Sequence, residues 1–264
     1  MKTAVEIYKL LPKTNCGECG TPTCFGFAAK VAANLAAADR CPHLSREACG
    51  KLLTEHGGGG GRNSAGSVYE QALINLRPKV KGLDFRKTAS LFGADYTGPE
   101  ELGLTFLGTR YRVTKERVID PSGEEARPWV SILIYNHITM PDPPAPSGEW
   151  VTFSSIPASH AKDKAWAGHV EDVIAQHFSG NVPGLEKACE GLGGWKAEIK
   201  GSHEAAYEFR FFPIYPVLLL FHDAVPEEDF PAQCRLLLDK NAPHYLDIES
   251  IVVLGEEFAA RLTA

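Results

Sequence analysis

Apolar and polar positions divide the 264-residue chain into two stretches of different texture. From Phe25 to Asp39 the run FGFAAKVAANLAAAD is rich in alanine and reads as helix. Residues 57–61 are five consecutive glycines followed by Arg-Asn-Ser-Ala-Gly, which holds no regular structure and acts as a flexible tether or plain linker. Beyond it, SVYEQALINLRPKVKG and DFRKTASLFG have helical character, with Pro78 ending or kinking the first. LGLTFLGTRYRVT alternates apolar and polar residues around Gly108, the pattern of a β-hairpin, and RVIDPSGEE holds a turn at Asp120–Gly123. Trp129 to Ile138 is a buried strand or helix, which periodicity alone does not separate. MPDPPAPSG is an irregular proline-rich loop. Helices are expected over 160–178 and 184–192. Paired core strands are expected over Tyr207–Phe212 and Val217–His222, separated by Pro213 and Pro216. Two further helices, roughly 226–240 and 247–262, close the chain. Strands and helices do not alternate regularly, so the fold class is α+β. A small helical module (1–56) is followed by a Gly-rich linker (57–66) and a larger mixed domain (67–264).

Four cysteines near the N-terminus carry the most specific chemistry: Cys16, Cys19 and Cys24 in C-G-E-C-G-T-P-T-C, then Cys41 in C-P. Thiolates at this density form a metal site. Zinc ribbons use two C-x2-C knuckles set apart, whereas three close ligands and one remote ligand before a proline is an arrangement that holds iron–sulfur cubanes. Structural zinc is the alternative. One unbroken helix from Cys24 to Cys41 would separate them by about 25 Å at ~1.5 Å per residue, too far for one cluster. The helix therefore has to break, near Asn34, and a second short helix has to return Cys41 to the site. Gly17, Gly20 and Gly26 beside the ligands let backbone N–H groups approach cluster sulfurs. Lys13 and Lys30 flank the module, and Phe25 and Phe27 straddle Gly26, one to shield the site and one to pack on the first helix.

The stretch YKLLPKTNCGECGTPTCFGFAAK, continuing to DRCPHL, closely resembles the 4Fe–4S module of the large corrinoid iron–sulfur subunit of acetyl-CoA decarbonylase/synthase. It is similar, less closely, to the module in the B subunit of the Rnf electron-transport complex. The resemblance covers residues 3–45. It implies one 4Fe–4S cluster on Cys16, Cys19, Cys24 and Cys41, serving as a low-potential one-electron carrier, and a corrinoid or other low-potential metalloprotein as redox partner. Nothing after residue 60 resembles the corrinoid subunit's barrel, and no cobalamin signature occurs, so the corrinoid-carrying function does not come with the module. The rest, in FLGTRYRV, SGEWVTFSSIP and PVLLLFHDAVPEEDFPAQCRLLLDKNAPHYL, resembles a bacterial and archaeal domain of unknown function (the 3786 family), which implies no activity.

Charge adds an exclusion. The net charge is −6, and residues after 56 hold 28 acidic against 20 basic side chains. No basic stripe with interleaved aromatics occurs, which disfavours nucleic acid. No run of 18 apolar residues or signal-peptide pattern is present, and seven cysteines with four in a cluster frame point to a reducing compartment, the cytoplasm. An anaerobe is implied by the resemblance.

The larger domain lacks C-x2-C, H-E-x-x-H, G-x-S-x-G, Walker and Rossmann patterns. His222-Asp223 ends an apolar strand, where Asp239, His244 and Glu228 could gather; the plainer reading makes Asp223 a turn cap. Cys189 and Cys234 read as buried thiols on helices, and Cys49 as a core thiol rather than a spare ligand. Trp150, Phe153, Trp166 and Trp195 read as core or interface aromatics. The expected role is an electron carrier without a catalytic residue of its own. A redox enzyme with a substrate site in 67–264, and an iron or redox sensor or assembly adaptor, are the alternatives.

Overall fold

The computed structural model describes residues 4–14, 16, 18–19, 21, 23–32, 38–45 and 63–264. The chain divides into two compact units, Met1–Ala72 and Leu73–Ala264. The glycine run and Cys49 lie outside the described residues.

In the first unit, α1 (Ala4–Leu10) packs on α2 (Cys24–Ala32), and a 3₁₀ turn, Ala38–Arg40, leads into Cys41. Ile7, Leu11, Cys24, Phe27, Ala28, Val31, Ala38 and Cys41 form its apolar core. So few buried side chains, each contributing roughly 1.5–3 kcal/mol, make a marginal core by themselves.

The second unit is α+β. Helix α3 (Asn63–Lys81), of which Leu73–Lys81 belong to this unit, runs through Pro78 rather than ending there. The proline lies in the last turn, where its missing N–H removes one bond, and Gly82 N closes the helix on the Pro78 carbonyl at 3.3 Å. Helix α4 (Phe85–Phe92) is capped by Asp84, whose carboxylate accepts from Arg86 N and Lys87 N.

An antiparallel meander follows: β1 (Asp95–Gly98), β2 (Glu101–Phe106), β3 (Thr109–Thr114) and β4 (Val118–Ile119). The expected hairpin is β2–β3, turning through Leu107 and Gly108, both at positive φ (46° and 71°). Two such residues make the turn whose twist matches the strands. At Gly108 a Cβ would also lie 2.6 Å from the Leu192 carbonyl. Residues Trp129–Ile138 belong to helix α5 (Pro128–Ile138), so the ambiguous apolar run is a buried helix.

The second sheet is antiparallel in the order β5-β9-β8-β7-β6: β5 (Trp150–Thr152), β6 (Trp195–Lys196), β7 (Ala205–Phe212), β8 (Tyr215–His222) and β9 (Gln233–Asp239). The helix expected over 226–240 is replaced by a 3₁₀ turn, Pro226–Glu228, and by β9. Cys234, Leu236 and Leu238 point inward at every second residue, and β8 offers them a full ladder of pairs. Cys234 is therefore on a strand. Pro216 lies inside β8 opposite Arg210, next to a register shift between Arg210 and Phe212, where a missing donor is tolerated.

Helices α6 (Asp163–Trp166) and α7 (Asp172–Phe178) are joined by a π-helical turn, Ala167–Glu171; α8 (Val182–Gly191) and α9 (Ile248–Leu262) complete the helical layer. Phe258 of α9 meets Phe209 and Phe211 of β7 at ring separations of 4.9 and 4.7 Å. Such contacts explain why β7 and β8 are buried almost throughout.

Candidate metal centre

The small unit sorts the four cysteines by depth. Cys24 and Cys41 are 7% exposed members of its apolar core, Cys19 packs against that core, and Cys16 is exposed. Thr23 places Cys24 at the first position of α2: its hydroxyl accepts from Gly26 N at 3.0 Å and its carbonyl from Phe27 N at 3.0 Å. A Cβ on Gly26 would meet the Thr23 hydroxyl at 3.0 Å and the Thr21 methyl at 3.2 Å, so the glycine keeps this cap tight. Cys41 follows the 3₁₀ turn, with its N–H on the Ala38 carbonyl at 3.4 Å, and its own carbonyl accepts from Leu44 N at 3.2 Å. Helix α2 is described as far as Ala32 and a short helical turn precedes Cys41, while residues 33–37, Asn34 among them, lie outside the described residues.

All four cysteines are free thiols. A single tetrahedral zinc with Zn–S of about 2.3 Å would need sulfurs about 3.8 Å apart. Among the described residues no three of these sulfurs lie within 4.8 Å of one another; the trio of ligating side chains that does is Cys16, Glu18 and His43. Phe27 is 1% exposed in the core, whereas Phe25 is 49% exposed and sets its ring edge-on to Tyr8 at 5.5 Å. Lys13 also leans over the Tyr8 ring, at 5.5 Å, and Lys30 is exposed on α2.

The larger unit does not assemble the cluster of polar residues considered at its strand end. His222 pairs with Gln233 at the start of β9, and Asp239 lies at the strand's far end, about 20 Å away at ~3.3 Å per residue. Asp239 is fully buried and accepts from Ser147 N and Oγ, Gly148 N and Asn241 N. It staples the proline-rich loop to the sheet. Asp223 accepts from Gly180 N at 2.7 Å and Ala224 N at 2.8 Å, so it ties the turn after α7 to the end of β8. His222 is half-exposed with Glu204 at 3.8 Å, and His244 and Glu228 are exposed.

Cys189 and Cys234 are buried, which pushes the Cys189 thiol up to about 12 and Cys234 well above the ordinary thiol range. Phe153 and Trp166 are core aromatics stacked at 4.6 Å; Trp195 is 43% exposed, with Arg210 over its ring, and Trp150 is half-buried on β5.

A feature with no sequence signal is a cavity of about 330 Å³ bordered by Thr152, Ser154, Trp166, Glu171 and Arg235. Glu171, at the end of the π turn, is buried and accepts from Arg235 at 2.7 Å, Leu236 N at 3.1 Å and the Trp166 indole at 3.3 Å. No motif joins these residues, because three separate elements supply them.

Residues 84–261 match the family described as Domain of unknown function (DUF3786), and residues 11–43, which hold all four cysteines, match the family described as "Putative Fe-S cluster". The chain is 60% identical over 43 residues to the corrinoid/iron-sulfur protein large subunit of Moorella thermoacetica, covering 16% of this chain and 10% of that protein. It is 54% identical over 43 residues to the acetyl-CoA decarbonylase/synthase complex subunit gamma of Methanocaldococcus jannaschii, covering 16% and 9%. Over 50 residues it is 46% identical to the same-named subunit of Methanothermobacter thermautotrophicus, covering 19% and 11%. The chain thus spans about a tenth of the length of these curated relatives. No solved structure matches it.

Proposed function

We propose that this chain, which belongs to the family described as Domain of unknown function (DUF3786), is an iron–sulfur electron carrier in which Cys16, Cys19, Cys24 and Cys41 hold one 4Fe–4S cluster. The observation that carries this reading is the donor set itself: four thiols outside any disulfide in one small unit, Cys24 and Cys41 inside its apolar core, Cys19 packed against it and Cys16 exposed. When bound, such a cluster supplies one electron at a time at low potential. The protein residues set its surroundings. Cys24 and Cys41 exclude water from one side, Thr23 fixes the start of the helix that carries Cys24, and exposed Cys16 marks the side through which a partner approaches.

The partner is a protein, and a corrinoid protein or another low-potential metalloprotein fits the resemblance to corrinoid iron–sulfur subunits. No described helix is long and apolar enough to cross a membrane. Residues 1–56 act as the redox module, the glycine-rich stretch 57–62 ahead of helix α3 as a tether that raises its local concentration at the partner, and the larger domain as what binds it.

Anaerobic reconstitution with iron and sulfide, followed by dithionite reduction and EPR, tests the reading. About four iron per chain and a fast-relaxing spin-half signal are expected. Zinc with no paramagnetic signal would overturn it.

The cavity beside the π turn favours a second reading, a redox enzyme with a substrate site in the larger domain, since π turns recur at functional sites and the volume suits a small ligand. Turnover of a substrate by the isolated, reduced protein would select this reading over the carrier.

A further inference from the structure

Among the described residues one group of ligating side chains converges, and it shares a single member, Cys16, with the four-cysteine set. Cys16, Glu18 and His43 place a sulfur, a carboxylate oxygen and an imidazole nitrogen within 4.8 Å of one another, all on exposed residues. Glu18 and His43 are 25 positions apart in sequence, yet Glu18 Oε2 and His43 Nε2 lie 3.0 Å apart. Local structure explains the meeting. In the knuckle, Cys19 packs toward the apolar core while Cys16 and Glu18 are exposed. In the turn after the 3₁₀ segment, Cys41 is buried and Leu44 packs on the core, which leaves His43 on the outside. The two ligand-bearing segments are thus joined through their solvent-facing residues.

The geometry points to a mononuclear metal site on Cys16, Glu18 and His43 in the cluster-free protein, selective for zinc-like divalent ions and incompatible with an assembled cluster. Thiolate, imidazole and carboxylate are all zinc donors, and three protein ligands with a fourth position left to water is an open zinc coordination. Bond lengths of about 2.0–2.3 Å set such donors about 3.3–3.6 Å apart. The sulfur, within 4.8 Å of both partners, needs to close by at most about 1.2 Å and the Glu18–His43 pair, at 3.0 Å, to open by about 0.3 Å, which exposed rotamers can supply. A thiolate and an imidazole disfavour magnesium and calcium, and zinc binds such a set more tightly than ferrous iron. Two anionic donors and one neutral donor offset the dication. Incompatibility follows because Cys16 cannot serve both sites, and this clause rests on its role as a cluster ligand proposed above. The site therefore gives the chain a second metal state: a held zinc ion that keeps Cys16 from the cluster until it is removed.

Zinc K-edge absorption of the cluster-free full chain loaded with one Zn²⁺ tests the site. A shell of one sulfur with nitrogen and oxygen donors is expected; four sulfurs would overturn the inference. Titration of Zn²⁺ into His43→Ala and Glu18→Gln should show affinity weakened at least about tenfold. The same variants should take up iron and sulfide as the unaltered protein does, and unchanged zinc affinity in both would refute the site. Zinc preloading should block iron uptake until a chelator is added, and a chain holding both zinc on Cys16 and a complete cluster would refute the incompatibility. Failure of the unaltered chain to form any cluster would overturn the carrier function alone, because the zinc shell is read without iron.

Discussion

His137 and Tyr245 meet in the core of the larger unit, with the imidazole Nδ1 2.9 Å from the Tyr245 carbonyl. A carbonyl only accepts, so Nδ1 carries the proton and Nε2 is left as a buried lone pair without a partner. The ring stacks on Phe212 at 3.9 Å. Burial outweighs the carbonyl bond and lowers the His137 pKa to about 3. Below pH 6.5 the unfolded chain takes up a proton that the folded chain refuses, so stability falls as the pH drops from about 6.5 toward about 3. The slope from this group reaches about 1.4 kcal/mol per pH unit. Urea unfolding between pH 7 and pH 4 should show it, and His137→Gln, which does not titrate, should flatten the profile relative to the unaltered protein.

The cysteines should divide into two functional classes. Alanine at Cys16, Cys19, Cys24 or Cys41 is expected to abolish or degrade the reconstituted cluster, read as iron content and visible absorbance. Alanine at Cys189 or Cys234 should leave iron content unchanged and lower the stability of the larger unit by about 1–2 kcal/mol, the result of a small core cavity. Those two thiols should also resist alkylation at neutral pH in the folded protein, since burial holds both protonated.

Asp239 is a structural carboxylate. Replacing it with alanine strands the buried donors of Ser147, Gly148 and Asn241, and the loss should be about 3 kcal/mol by chemical denaturation. Proteolysis should then open the loop around residues 141–148 first, because that loop is what the carboxylate holds.

Gly108→Ala should destabilise by about 1–3 kcal/mol, since it combines a left-handed backbone with a close approach to the Leu192 carbonyl. Gly123→Ala is the control. It has a positive φ but open space around the added carbon, so it should cost less in the same assay.

Local grammar settled a large part of this protein. Cysteine spacing marked the four thiols as a candidate set, and the alternation around Gly108 identified a hairpin. These features depend on neighbours a few residues apart, which any reading of the chain contains. Tertiary structure decided the rest. Residues 233–239 became a strand because β8 supplied a ladder, although the same leucine-rich run could have wound into a helix. Trp129–Ile138 became a helix because Val130, Leu133, Ile134, Tyr135 and Ile138 could all be buried at once in the larger core. His222 and Asp239 were held apart by the length of β9, and Glu18 and His43 were brought together across 25 residues. The sequence carries each side chain's chemistry, but distance between remote side chains is set by how elements pack, and no local pattern encodes that.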